Sequence, residues 1–253
     1  MTKPIVLITG ASAGLGVDFA RQMSAQGSRV VLVARRKDRL EALAAELGQA
    51  RAVEMDLAED GAAERLLADI AAHDEHVDCL VNNAGFGLRG RVAEQESKRL
   101  RQMIDLNCGL LTELARAVLP GMIERGRGGI LNVASTAAFQ PGPGMAVYFA
   151  TKAYVLSFTE ALHEEVRGTG VHVTALCPGP TSTEFGAVAG FEPAAGSTFD
   201  KLSAQSGSVV AAGLAGLSDN KAIVIPGAAN KVGAQGARFL PRAVIRRIAG
   251  VLK

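Results

Sequence analysis

Seven short apolar runs punctuate the chain: PIVLITG, RVVLVAR, ARAVEMD, DCLVNNAG, GGILNVAS, VHVTALCPG and KAIVIPG. Most are unbroken Val/Ile/Leu stretches without polar alternation, which is the pattern of parallel strands covered on both faces. Between them lie segments with helical periodicity, such as KDRLEALAAELG, GAAERLLADIAAH and SKRLRQMIDLNCGLLTELARAVLPGMIERG. Strand–helix alternation repeated this often predicts an α/β fold: a doubly wound, seven-stranded parallel sheet with helices on both faces. Right-handed crossovers leave such a chain little topological freedom.

At 253 residues a single domain, residues 1–228, accommodates the whole alternation. An apolar content of 48% supports a packed core. Two segments depart from the pattern. Residues 181–207 are rich in Gly, Ala, Ser and Thr and are broken by Pro193, as expected of a lid. Residues 229–253 interleave Lys231, Arg238, Arg242, Arg246, Arg247 and Lys253 with Phe239, Leu240, Val244, Ile245, Ile248 and Leu252. That tail predicts a basic amphipathic helix, which could pack on the protein, close over a neighbouring subunit or seat on an anionic membrane surface.

A formal net charge of +2 gives no reason to expect a nucleic-acid partner. No apolar run approaches the roughly 18 residues of a membrane span. The N-terminus runs straight into the first strand without a signal peptide, which predicts a cytoplasmic protein. Cys79, Cys108 and Cys177 form no CxxC, and His73, His76, His163 and His172 make no ligand pattern with them, so no metal site is expected.

TGASAGLG, Thr9 to Gly16, follows the first strand and opens the first helix. Gly10, Gly14 and Gly16 let the backbone turn tightly and approach a ligand, with Ser12, Ala13 and Leu15 in the same turn. The helix N-terminus behind them offers free N–H groups to a diphosphate. The alternative is a purely structural turn, but strand before and helix after is the context of dinucleotide binding.

This TGxxxGxG spacing, NNAG at 82–85 and the Tyr148–Lys152 pair together resemble the short-chain dehydrogenase/reductase family over residues 4–227. The resemblance implies a Rossmann-type fold and NAD(P)-dependent interconversion of a carbonyl and an alcohol. In a Rossmann unit the acid ending the second strand binds the ribose 2′-hydroxyl. Here Ala34 stands in that place, followed by Arg35, Arg36 and Lys37. A carboxylate would repel a 2′-phosphate, whereas a guanidinium binds it with two parallel bonds. NADP(H) is therefore expected over NAD(H), with Arg35 the main reader and Arg36 a second; the alternative is that these are merely solvated cations. The resemblance further places Asp56 and Leu57 at the adenine, Asn83, Ala84 and Gly85 along the adenosine wall, and Pro178, Gly179 and Thr181 at the carboxamide.

Tyr148 is one of only two tyrosines and stands four residues ahead of Lys152, on one helix face. A phenol is a poor base at neutral pH. An ammonium about 4 Å away contributes roughly 4 kcal/mol at an effective dielectric of 20, enough to bring the phenol toward working pH. A Tyr/Lys pair at this spacing is also common on ordinary amphipathic helices. By the resemblance, Ser135 donates to the substrate oxygen, Asn107 holds a water behind the lysine, and Lys152 also holds the nicotinamide ribose. Hydride transfer to a carbonyl, with Tyr148 as proton donor, is the expected reaction.

Phe139, Gln140, Met145, Phe185, Val188, Phe191 and Phe199 are expected to line an apolar pocket for a medium or large ketone, such as a 3-oxoacyl chain or a steroid-like ring. Relatives are commonly dimers or tetramers, built here on helices near 98–125 and 148–167. Two other classes of protein share parts of this pattern. A non-catalytic NADP(H) sensor or scaffold has no need of an acidified phenol. A Rossmann methyltransferase needs an acid where Ala34–Arg35 stands.

Overall fold

The computed structural model describes residues 3–190 and 204–251. Its elements in chain order are β1 (Ile5–Thr9), α1 (Leu15–Ala25), β2 (Arg29–Ala34), α2 (Lys37–Leu47), β3 (Ala50–Glu54), α3 (Ala62–Ala72) and β4 (Cys79–Asn82). There follow α4 (Ser97–Ile104), α5 (Leu111–Glu124), β5 (Gly128–Val133), α6 (Ala146–Glu165), β6 (Val171–Leu176) and the short α7 (Phe185–Val188). The chain continues through α8 (Ser206–Ser218), β7 (Ile223–Val224), α9 (Ala228–Phe239) and α10 (Arg242–Val251).

The unbroken apolar runs have a direct cause. Along β1, Ile5 and Leu7 enter a core shared with Leu66, Leu114 and Leu162 from α3, α5 and α6. Their neighbours Val6 and Ile8 enter the opposite core, against Phe19, Leu40 and Val210 from α1, α2 and α8. A strand buried on both sides has no polar face to alternate with. The seven strands pair in the order β3-β2-β1-β4-β5-β6-β7. Every pairing is parallel. The winding reverses between β1 and β4, which opens a crevice at the carboxyl ends of those strands.

Three features depart from the sequence expectation. KAIVIPG contributes only two paired residues, Ile223 and Val224, because it lies at the sheet edge beside β6. The long periodic segment does form one continuous helical run, but Asp105–Leu110 within it is π-helical. The extra residue in that turn re-aims side chains relative to an ideal α-helix. The tail is two helices rather than one, with Pro241 between them. Ala234 and Ile245 are buried, whereas Phe239 is 87% exposed and Val232 72%. Among the described residues no helix is long and apolar enough to cross a membrane.

Candidate active site

The glycine loop is held by hydrogen bonds from both flanking strands. Gly10 and Ala11 N–H groups donate to the Val33 carbonyl of β2 at 2.8 and 3.2 Å. Thr9 Oγ1 accepts the N–H groups of Asn83 and Ala84, each at 3.0 Å. Asn83 Nδ2 in turn donates to the carbonyls of Thr9 (2.9 Å) and Gly10 (3.1 Å). Gly14 caps α1 at φ 55° and, as a glycine, supplies no side-chain cap to its first turn. Ser12, Ala13 and Leu15 thus surround an uncapped helix start, which is an anion-binding arrangement.

At the adenosine end the cations divide. Arg36 Nε donates to Ser12 Oγ at 3.1 Å, which seats it on the glycine loop. Arg35 is 72% exposed and lies 3.9 Å from Asp56. Asp56 also accepts the Ala58 N–H at 3.0 Å. The Leu57 side chain is buried in the core. No acid ends β2, where Ala34 stands. The only carboxylate bonded to Arg36 among the described residues comes from 148 positions away, Glu184 at 2.8 Å. These residues fit a diphosphate dinucleotide with a 2′-phosphate.

β5 ends at Val133, and Ser135 follows in extended conformation. Its Oγ accepts the Ala137 N–H at 3.1 Å and faces the Pro178 carbonyl at 3.4 Å. Tyr148, in the first turn of α6, is buried against Phe185 and Phe149, with ring centroids 5.2 and 6.1 Å away. One helical turn on, Lys152 Nζ donates to the Val133 carbonyl at 2.7 Å. Asn107 sits in the π-helical turn. Its Oδ1 accepts Phe86 N–H at 3.1 Å, and its Nδ2 donates to the Phe86 carbonyl and Thr151 Oγ1, both at 3.0 Å. Gly85 lies between them: a Cβ there would stand 2.8 Å from Asn107 Oδ1 and 3.7 Å from Lys152 Nζ. All four expected side chains therefore converge beside the end of β5.

The electrostatics differ from the expectation that Lys152 brings the phenol to neutrality. Burial pushes Tyr148 up to about 12, opposed by its interaction with Ser135. Burial takes Lys152 down to about 8, opposed by the nearby Cys108 and Cys177. Spacing placed the two groups on one face, but the ammonium is committed to the Val133 carbonyl and sits 5.9 Å from the Tyr148 ring centroid. Desolvation wins.

After β6, the Pro178 carbonyl accepts the Thr136 N–H at 2.8 Å. A Cβ at Gly179 would lie 2.4 Å from Asn230 Oδ1, so α9 closes directly on this turn. Thr181 Oγ1 turns back to the Gly179 carbonyl at 3.0 Å. Thr183, which no motif marks, also touches the glycine loop: a Cβ on Gly14 would stand 3.1 Å from its Cβ. Of the residues expected in the pocket, Met145 and Phe185 pack with Tyr148. Phe139 instead lines a separate cavity of about 160 Å³ with Ile223, Ile225 and Ala234. Gln140 is exposed. Phe191 and Phe199 lie outside the described residues.

A glycine-loop Rossmann sheet with Ser, Tyr, Lys and Asn gathered at the carboxyl ends of its strands defines a class of nicotinamide-dependent oxidoreductases. The short chain dehydrogenase family model matches residues 4–190. The chain belongs to that family and is an oxidoreductase acting on CH–OH groups. Its relatives include the NADP-dependent 3-hydroxy acid dehydrogenase YdfG of Salmonella typhi, 42% identical over 79% of this chain and 83% of that one. Among solved structures, a short-chain dehydrogenase from Sphingobium yanoikuyae in complex with NADPH superposes with a TM-score of 0.81. It is 35% identical and is covered to 93% of each chain. The bulky-bulky ketone specific alcohol dehydrogenase from Comamonas testosteroni gives 0.79 at 28% identity, over 94% of this chain and 93% of that one.

Proposed function

We propose that this chain is an NADP(H)-dependent carbonyl reductase/alcohol dehydrogenase in which Tyr148 exchanges the proton and Ser135 holds the reacting oxygen. The observation that carries this reading is the convergence beside the end of β5: Tyr148 interacts with Ser135, Lys152 is bonded to the Val133 carbonyl, and Asn107 and Lys152 meet at Gly85. Bound NADP(H) supplies or accepts the hydride. Arg36, with Arg35 beside it, would provide guanidinium groups for the 2′-phosphate, and the start of α1 would offer its N–H groups to the diphosphate.

A phenol held near 12 is fully protonated at neutral pH, so Tyr148 stands ready as the acid for an emerging alkoxide. Ser135 shares the same oxygen and keeps it oriented. Lys152, buried with its ammonium on the Val133 carbonyl, supports proton resupply from a water held by Asn107. An intact proton donor of this kind disfavours a purely sensory role.

Phe86, Met145, Phe149 and Phe185 pack around Tyr148 and give the reacting end an apolar wall. That favours a medium or large ketone, of 3-oxoacyl or steroid-like size. A second reading, a 3-hydroxy acid, is favoured by the 42% identity to YdfG. An NADPH-oxidation assay over 3-oxoacyl thioesters, steroids, bulky aryl ketones and small 3-oxo acids separates the two. Highest kcat/KM on bulky ketones is the expected result. Selective turnover of short 3-oxo acids would replace it with the second reading, and no turnover of any carbonyl would sink both.

A further inference from the structure

Thr183, Glu184 and Phe185 are consecutive, yet each touches a different part of the site. Thr183 lies on Gly14, and Phe185 covers the Tyr148 ring. Glu184 Oε2 accepts from Arg36 Nη1 at 2.8 Å, while its Oε1 accepts from Arg39 Nη1 at 2.6 Å. Arg36 is anchored on its other side, where Nε donates to Ser12 Oγ at 3.1 Å. A carboxylate is thus held in a fork of two guanidiniums, one of them seated on the glycine loop. That is the geometry with which guanidinium groups take a phosphate. All three side chains are roughly half exposed, so a ligand can reach the pair.

We infer that Glu184 is an internal competitor for the 2′-phosphate of the cofactor and sets how strongly the chain distinguishes NADP(H) from NAD(H). The inference rests on the reading of NADP(H) at the Arg36 site. A 2′-phosphate must take Arg36 and Arg39 away from Glu184. NAD(H) carries no group there and leaves the ion pair in place. Arg39 thereby becomes a second phosphate-binding guanidinium beside Arg36, and the loss of the Glu184 charge acts on one cofactor only.

The chain contains no tryptophan, so the fluorescence of reduced nicotinamide reports binding to the full-length protein cleanly. Glu184→Gln is expected to tighten NADPH about fivefold, the scale of an exposed ion-pair network, and to leave NADH within about twofold. Calorimetry with 2′,5′-ADP should show the same gain without any turnover. Unchanged or weakened NADPH binding in Glu184→Gln overturns the competition. Arg36→Ala serves as the separate arm. If it leaves NADPH affinity unaltered, the phosphate-site reading itself falls. If it weakens NADPH while Glu184→Gln is neutral, the site stands and only the competitor role is lost.

Discussion

Tyr148→Phe is expected to lower kcat by about a thousandfold or more while leaving the NADPH dissociation constant within about twofold. The substitution deletes one oxygen and keeps the ring, so the packing against Phe185 and Phe149 persists. The Lys152–Val133 hydrogen bond does not involve the phenol and should also survive. What disappears is the phenol placed beside Ser135. Steady-state assays on the best substrate of the carbonyl panel, paired with a nicotinamide-fluorescence titration, provide both readouts. Turnover within tenfold of the parent would remove Tyr148 from the proton transfer.

The same burial fixes the pH profile. At pH 7 a phenol near 12 and an ammonium near 8 are both protonated. The reductive rate should therefore be level below about 8 and fall above it, as Lys152 loses its proton before Tyr148 does. Alcohol oxidation needs the phenol deprotonated and should rise with pH over the same interval. A reductive rate that keeps rising through pH 9 would count against Lys152 in proton resupply.

Much of this site could be read from the chain because its determinants are local. Strands such as β1 and β2 announce themselves as unbroken apolar runs, since both of their faces are buried. Tyr148 and Lys152 share a face because four residues make one helical turn. Spacing could not supply direction, however: Lys152 points its nitrogen at a carbonyl on β5, nineteen positions away, rather than at the phenol oxygen. The π-helical turn around Asn107 is equally silent, because Met103, Leu110 and Leu114 keep a helical rhythm whichever turn holds the extra residue. Arg39 and Glu184 are 145 positions apart, and only the folded chain brings them together. Thr183 and Glu184 carried one weak signal, their place just after the turn that follows β6.

Gly16→Ala should be the most damaging single methyl group in the glycine loop. An added Cβ would stand 2.2 Å from the Gly10 carbonyl oxygen and 2.9 Å from Ala11 Cα, both backbone atoms. Neither can retreat freely. The Gly10 N–H is bonded to Val33 at 2.8 Å, and its carbonyl accepts Asn83 Nδ2 at 3.1 Å. Relief must come from prising α1 away from β1, at a cost of about 2 kcal/mol or more, the scale of an overpacked core. For a domain of this size that corresponds to a Tm lower by about 5 °C. The larger loss falls on ligand binding, because moving α1 displaces the N–H groups meant for the diphosphate. NADPH binding should weaken by at least about a hundredfold, well beyond what the lost stability explains. Gly236→Ala in α9 is the matched control: nothing lies within 4 Å of its added Cβ, and helix propensity favours the alanine. Thermal melts and NADPH titrations of both variants separate a local steric effect from a general one. If Gly16→Ala melts and binds like the parent, the loop tolerates a side chain there, and its glycine spacing is not what shapes the nucleotide site.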